Sequence, residues 1–206
     1  AKKKELHAAM NNSLAFGGNN ASLIFGKDCG DVKVKEEKDT VVITGTGVVS
    51  PLGCGLDAYL DACKIGRKIE GGDVASDLTD ADFASAGLER SFFRKLDRFS
   101  RLQAVSGMQA LQNGNYQVTE ENARETGILV GTSEGALGPG CDFEMLIAEK
   151  GNAGGSAFKF PNTVYNAAGG YLSICAGIRG YNVTVTNGAQ SGLAAIAYAS
   201  GVIREG

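Results

Sequence analysis

The stretch Asn182–Tyr198, NVTVTNGAQSGLAAIAY, decides the fold class. Its first part, Val183-Thr184-Val185-Thr186, is a run of β-branched residues that reads as a strand. A tight turn of small residues follows, and from Gln190 to Arg204 the alanine-rich chain reads as a helix. A strand entering a helix through such a turn has the geometry of a nucleophile elbow. A side chain on the turn is lifted out of the sheet and aimed at the helix N-terminus, whose dipole lowers the pKa of a thiol. Here the turn carries Gly188, Ala189, Gln190 and Ser191. Ala189 has nothing to attack with. Ser191 has a hydroxyl, but no histidine lies near it in sequence to activate it.

The segments upstream repeat the alternation of strand and helix. Gly127–Gly131 (GILVG) reads as a buried strand, with Thr132-Ser133-Glu134-Gly135 as the loop after it. Thr163–Ala176 is small and apolar and reads as a helix. Leu96, Phe99, Leu102, Val105, Met108 and Leu111 recur at helical spacing and predict a helix over Phe93–Asn113. Val41-Val42-Ile43 makes Thr40–Gly47 a third expected buried strand. Gly53–Ile65 reads as a helix with Leu56, Tyr59, Leu60 and Cys63 on one face, and the polar Gly71–Leu88 as loop or irregular helix. This order indicates a layered α/β architecture.

The beginning of the chain has a different character. Asn12–Phe16 and Asn20–Phe25 read as two short strands joined through Gly17-Gly18-Asn19, residues that tolerate the positive φ of a hairpin. Lys27–Asp39 (KDCGDVKVKEEKD) alternates charges of both signs and reads as a solvated linker, or alternatively as an exposed edge strand through Val32 and Val34. The expected organisation is a hairpin over residues 1–27, a linker over 28–39 and an α/β body over 40–206.

Composition narrows the function. With 206 residues, 43% hydrophobic and 21% charged, the chain can bury a core. Twenty basic residues against 23 acidic ones leave no excess to neutralise a phosphate backbone, so nucleic acid is not an expected partner. No apolar run is long enough to cross a bilayer, so neither is a membrane. The five cysteines, Cys29, Cys54, Cys63, Cys141 and Cys175, are odd in number and widely spaced. With no secretory signal at the start, they read as reduced thiols of a cytoplasmic protein. One histidine and no ligand cluster argue against a metal.

Other motifs carry less. Gly45-Thr46-Gly47 after a strand resembles a dinucleotide fingerprint, but Ser50 stands where its third glycine belongs, so these glycines are expected to shape a turn. The single His7 is expected to be a solvated or packing residue rather than a general base. Asp97 is expected to cap the long helix. No carboxylate pair has spacing that suggests acid–base work.

Several of these stretches together resemble the β-ketoacyl synthase family, which has the thiolase fold. Val41–Gly53 (VVITGTGVVSPLG) resembles its first strand and loop, and Leu96–Leu111 (LDRFSRLQAVSGMQAL) its Asp-Arg-Phe-Ser helix. Gly127–Gly135 is similar to its second strand and loop, and Phe160–Asn182 (FPNTVYNAAGGYLSICAGIRGYN) to the approach to its catalytic elbow. Ala8–Gly26 (AAMNNSLAFGGNNASLIFG) resembles the far end of a synthase, where a hairpin closes the sheet and its loop borders the acyl pocket. The resemblance implies a thiolase-like mixed sheet with layered helices, present as a half-fold. The misplaced hairpin has two explanations: a circular permutation in which it completes the sheet of Thr40–Gly206, or a piece of two synthase units fused in tandem.

The resemblance places Ala189 where the family's acyl-accepting cysteine stands, with Gln190 one residue later. The histidines and lysine that the family's second half supplies have no counterpart, so no catalytic residue is assigned. The acyl-pocket candidates it implies are Phe16, Gly17, Gly18, Ala189 and Gln190. Asn182, Val183, Thr184, Val185 and Thr186 are the dimer-interface candidates, because the family pairs this strand with its twin across the dimer axis. No cofactor or metal is implied. The expected partners are an acyl-carrier protein or a ketosynthase subunit, in a homo- or heterodimer. The expected function is a non-condensing, structural or chain-length-determining domain of fatty acid or polyketide synthesis. The alternatives are part of an active synthase whose nucleophile is replaced by Ala189, and an inactive piece of a tandem synthase.

Overall fold

The computed structural model describes residues 7–14, 20–26, 40–69 and 78–205. The expected hairpin is present as β1 (Ala8–Leu14) and β2 (Asn20–Gly26), antiparallel, with Ala8 opposite Gly26 and Leu14 opposite Asn20. β1 begins before the expected Asn12, and β2 runs one residue past Phe25. The turn residues Phe16, Gly17 and Gly18 and the linker lie outside the described residues. Among the described residues the hairpin is a sheet of its own. Met10 and Phe25 on it are exposed.

The body is built around α4 (Arg98–Asn113). Before it come a two-residue bridge of β3 (Val49–Ser50) with β4 (Gly53–Cys54), then α1 (Leu56–Lys64), α2 (Asp80–Ser85) and α3 (Arg90–Phe93). The expected helix over Phe93–Asn113 therefore starts later. Asp97 caps it: its carboxylate accepts from the backbone N–H groups of Phe99 (3.1 Å) and Ser100 (3.2 Å), satisfying donors that a helix start leaves orphaned. α2 carries a reciprocal capping box between Thr79 and Asp82. α1 occupies the expected place, but its buried residue is Ala62, while Leu60 and Cys63 are exposed. Phe83, Phe93, Leu96, Ala104 and Val105 form one core, with the Phe83 and Phe93 rings stacked 3.9 Å apart.

The expected strands β5 (Ile128–Gly131) and β6 (Asn182–Val185) form a parallel pair, Ile128 opposite Asn182 and Gly131 opposite Val185. Between them lie α5 (Leu137–Lys150), two 3-10 turns (Gly151–Gly154 and Phe160–Thr163) and α6 (Ala167–Ala176); α7 (Ser191–Glu205) follows β6. Strand alternation sorts the helices into layers. Ile128 and Val130 face a second core with Leu172 and Ile178, against α6 and α4. Gly107 of α4 lets Leu172 of α6 approach, and Gly169 of α6 lies against Asn182 and Val130. Gly131 points the other way: a Cβ there would sit 2.3 Å from the Ser191 carbonyl oxygen, so α7 covers the opposite face. The order is helix layer, sheet, helix layer.

One expected strand is absent. Among the described residues Thr40–Val48 forms no strand and pairs with none, and Val42 and Ile43 are 66% and 78% exposed. Its backbone donors go to side chains of α4 instead. Thr46 N–H donates to Asn113 Oδ1 (2.9 Å) and Val48 N–H to Gln109 Oε1 (3.1 Å). Gly45 and Gly47 permit this contact: a Cβ on either would lie 2.3 Å from the Ala110 carbonyl oxygen or 1.9 Å from that of Ser106. Both glycines let a backbone lie directly on a helix.

Candidate functional site

The turn between β6 and α7 has the expected elbow shape. Gly188 carries its left-handed bend, with φ at 54°. Gln190 N–H donates to the Asn187 carbonyl (3.1 Å) and Ser191 N–H to that of Gly188 (3.2 Å), which winds the chain directly into α7. Ser191 is 3% exposed and its hydroxyl is fully engaged. It accepts from Asn187 N–H (2.8 Å) and donates to the Gly188 carbonyl (2.7 Å). The one hydroxyl of the turn is thus a brace, and its oxygen is turned inward.

Ala189 and Gln190 are exposed on this turn. A methyl group accepts no acyl chain, so the described turn has the backbone of a nucleophile site and no nucleophile. The other described thiols stand elsewhere. Cys63 and Cys141 are exposed on α1 and α5. Cys175 lies in α6, and burial pushes its pKa up to about 11. Cys54 is held above the ordinary thiol range by burial, countered in part by a hydrogen bond from Gln109 Nε2 (3.2 Å). Neither is poised as a thiolate. His7 is exposed just ahead of β1.

Beside the elbow runs the loop Thr132–Gly135, held at its start by the Gly131 contact with α7. Thr132 Oγ1 accepts from Gly135 N–H (2.9 Å), and the ring of Tyr165 lies against Gly135, which has φ of 53°. This neighbour and the bracing role of Ser191 escape sequence reasoning, although GILVGTSEG placed the glycines. Of the acyl-pocket candidates, Ala189 and Gln190 sit together on the turn, while Phe16, Gly17 and Gly18 are outside the described residues. Asn182, Val183, Thr184 and Val185 form β6, and Thr186 follows it, exposed. One edge of β6 is taken by β5, and among the described residues the other edge has no strand beside it. No group of metal-ligating residues occurs among the described residues, and no described helix is long and apolar enough to cross a membrane.

A model of the β-ketoacyl synthase N-terminal domain matches residues 56–206, and the chain belongs to that family. It is 31% identical over 179 residues to the 3-oxoacyl-[acyl-carrier-protein] synthase 2 of Vibrio harveyi, a match spanning 82% of this chain and 43% of the relative. It is 30% identical over 167 residues to the chloroplastic 3-oxoacyl-[acyl-carrier-protein] synthase I of Arabidopsis thaliana, spanning 73% and 35%. The chain spans under half the length of these relatives. Among solved structures it is similar to a type II PKS acyl-carrier protein in complex with its ketosynthase bound to the hexaketide. That likeness has a TM-score of 0.65 at 26% identity, over 80% of this chain and 47% of that one. It is likewise similar to the ishigamide ketosynthase/chain length factor, with TM-score 0.62 at 27% identity over 79% and 49%. The fold is the thiolase-like ketosynthase fold, present as a half.

Proposed function

We propose that this domain is a ketosynthase-like unit that does not condense. It serves fatty acid or polyketide synthesis as a structural or chain-length-determining partner. The observation that carries this reading is the elbow itself: Ala189 occupies its exposed position, and the Ser191 hydroxyl is consumed in bracing it. Its partner is a ketosynthase subunit or an acyl-carrier protein. The likeness to solved complexes of those kinds supports this. So do the exposed cations Arg94 and Lys95 at the entry to α4. Such a basic face suits an acidic partner. The hairpin over 1–27 and the linker over 28–39 belong, in this reading, to a separate unit joined to the body over 40–206. Phe16, Gly17 and Gly18 are the pocket-bordering residues of that unit.

The test is acyl transfer from a labelled acyl-carrier protein. The parent chain stays unlabelled in the non-condensing reading. The elbow's intact backbone favours one rival, an active synthase with its sulfur replaced. Labelling of an Ala189→Cys variant, with none of the parent chain, would favour that rival. A Gln190→Ala variant separates a role for the glutamine: loss of malonyl decarboxylation assigns it one, and unchanged turnover removes it.

A further inference from the structure

At the C-terminal end of α4 lies an open pocket of about 430 Å³, walled by the last turns of α4 and α6 and by the loop Asn115–Val118. That loop is tied to Thr126, just ahead of β5, whereas the elbow stands at the far end of the same strand. The pocket sits on the seam between the two cores: Met108 packs against both, Cys175 against the first and Val118 against the second. Its loop wall is held before anything binds. Tyr116 N–H donates to the Leu111 carbonyl (2.9 Å), the Tyr116 and Thr126 hydroxyls share a hydrogen bond (2.8 Å), and Asn122 Nδ2 donates to the Gln117 carbonyl (3.0 Å). Binding to such a wall loses little to ordering.

The lining selects the ligand's chemistry. Among the described residues it includes no charged side chain, so an ion entering would lose hydration and gain no ionic partner. Met108 and Cys175 supply two sulfurs. Burial pushes the Cys175 thiol up to about 11, so near neutral pH it is an uncharged, polarizable group. Both kinds of sulfur pack well against aromatic rings. The polar part is a rim of the exposed amides Gln112, Asn115 and Gln117. Gln112 Nε2 donates to the Ser85 carbonyl (3.2 Å), which leaves its oxygen as an acceptor. We infer that this pocket binds a small neutral aromatic molecule with a ring N–H, its ring against Met108 and Cys175 and its N–H donated to an amide oxygen of the rim. The volume lies in the usual range for small-ligand pockets and accommodates a fused bicyclic ring.

Indole is the probe, titrated into the isotope-labelled parent chain and followed by amide chemical shifts. The amides of Val118, Cys175 and Ala176 are expected to move along one saturating curve with a Kd below about 1 mM, while those of Gly188–Ser191 stay in place. Benzofuran, the same ring system with an oxygen in place of the N–H, is expected to bind about three- to tenfold more weakly, the worth of one hydrogen bond. A second readout needs no spectrum. At about 3 mM indole, alkylation of Cys175 by iodoacetamide, mapped by peptide mass, is expected to slow more than about threefold, the occupancy factor of that affinity. The exposed Cys141 is expected to react at its unaltered rate. Shifts that stay linear to about 10 mM indole, or that centre on another part of the chain, overturn the inference. Alkylation of Cys175 unslowed by indole overturns it too, and benzofuran binding as tightly as indole removes the rim amides from recognition.

Discussion

At the elbow, two adjacent needs are met by different residues. Gly188 supplies the bend, and Ser191 ties the two sides of the turn together through one oxygen that both donates and accepts. Replacing Ser191 by alanine removes the partner of the Asn187 amide, a loss of about 0.5–1.5 kcal/mol for a hydrogen bond at an exposed residue. The urea midpoint of Ser191→Ala is expected to fall with an unchanged slope; an unchanged midpoint would show that the brace is idle. Cys175 offers a pH signature. Its pKa is raised to about 11 from the ordinary 9.0 by burial, so the folded chain holds this proton where the unfolded chain releases it. The stability this contributes is complete below about pH 9 and is lost as pH rises toward 11. Melting curves across that range are expected to show a steeper alkaline decline in the parent than in Cys175→Ala. Parallel declines would contradict the assignment.

At the scale of elements, sequence reading succeeded where a segment's own residues determine its state. In the run ILVG, Ile128 and Val130 are buried and Leu129 half-buried, the run NVTV is half-buried throughout, and α4 has its stripe and its Asp97 cap. It failed where the outcome depends on what lies alongside. Val41-Val42-Ile43 is as β-branched as any strand, yet its neighbouring amides are captured by Gln109 and Asn113, side chains more than sixty positions away. α5 escaped because it has no buried residue and contains Gly138, Pro139 and Gly140 in its first turns, where a missing N–H costs little. The elbow was legible as strand, turn and helix; the engagement of the Ser191 hydroxyl was not, since it needs the turn's geometry. Gly47→Ala tests the docking of the extended segment. Its Cβ would meet the Ser106 carbonyl oxygen at 1.9 Å, so the segment must lift, at a cost of about 1–3 kcal/mol. The melting temperature is expected to drop, and exchange of the Thr46 and Val48 amides to quicken. A variant as stable as the parent would mean the segment is not held there.

At the scale of the molecule, the α/β body leaves apolar surface open. α7 is apolar around most of its circumference, a pattern of helices enclosed on both sides. Yet Leu193, Ile196 and Ile203 are exposed beyond the face that rests on the sheet. Open strand edges add to this, and such edges invite pairing with another chain. The proposed association through Asn182–Thr186 uses one of them, so light scattering is expected to give the mass of a dimer. A monodisperse monomer would remove β6 as an interface. The separate hairpin sheet also belongs to this scale: no local pattern reveals whether two strands join a distant sheet or stand apart.

The central claim is that this elbow receives no acyl group. It is tested most directly by the intact mass of the parent chain after incubation with an acyl-carrier protein bearing a thioester-linked acyl chain. The account predicts a mass unchanged by the incubation. A mass increased by one acyl group, mapped to the peptide containing Gly188–Ser191, would contradict it.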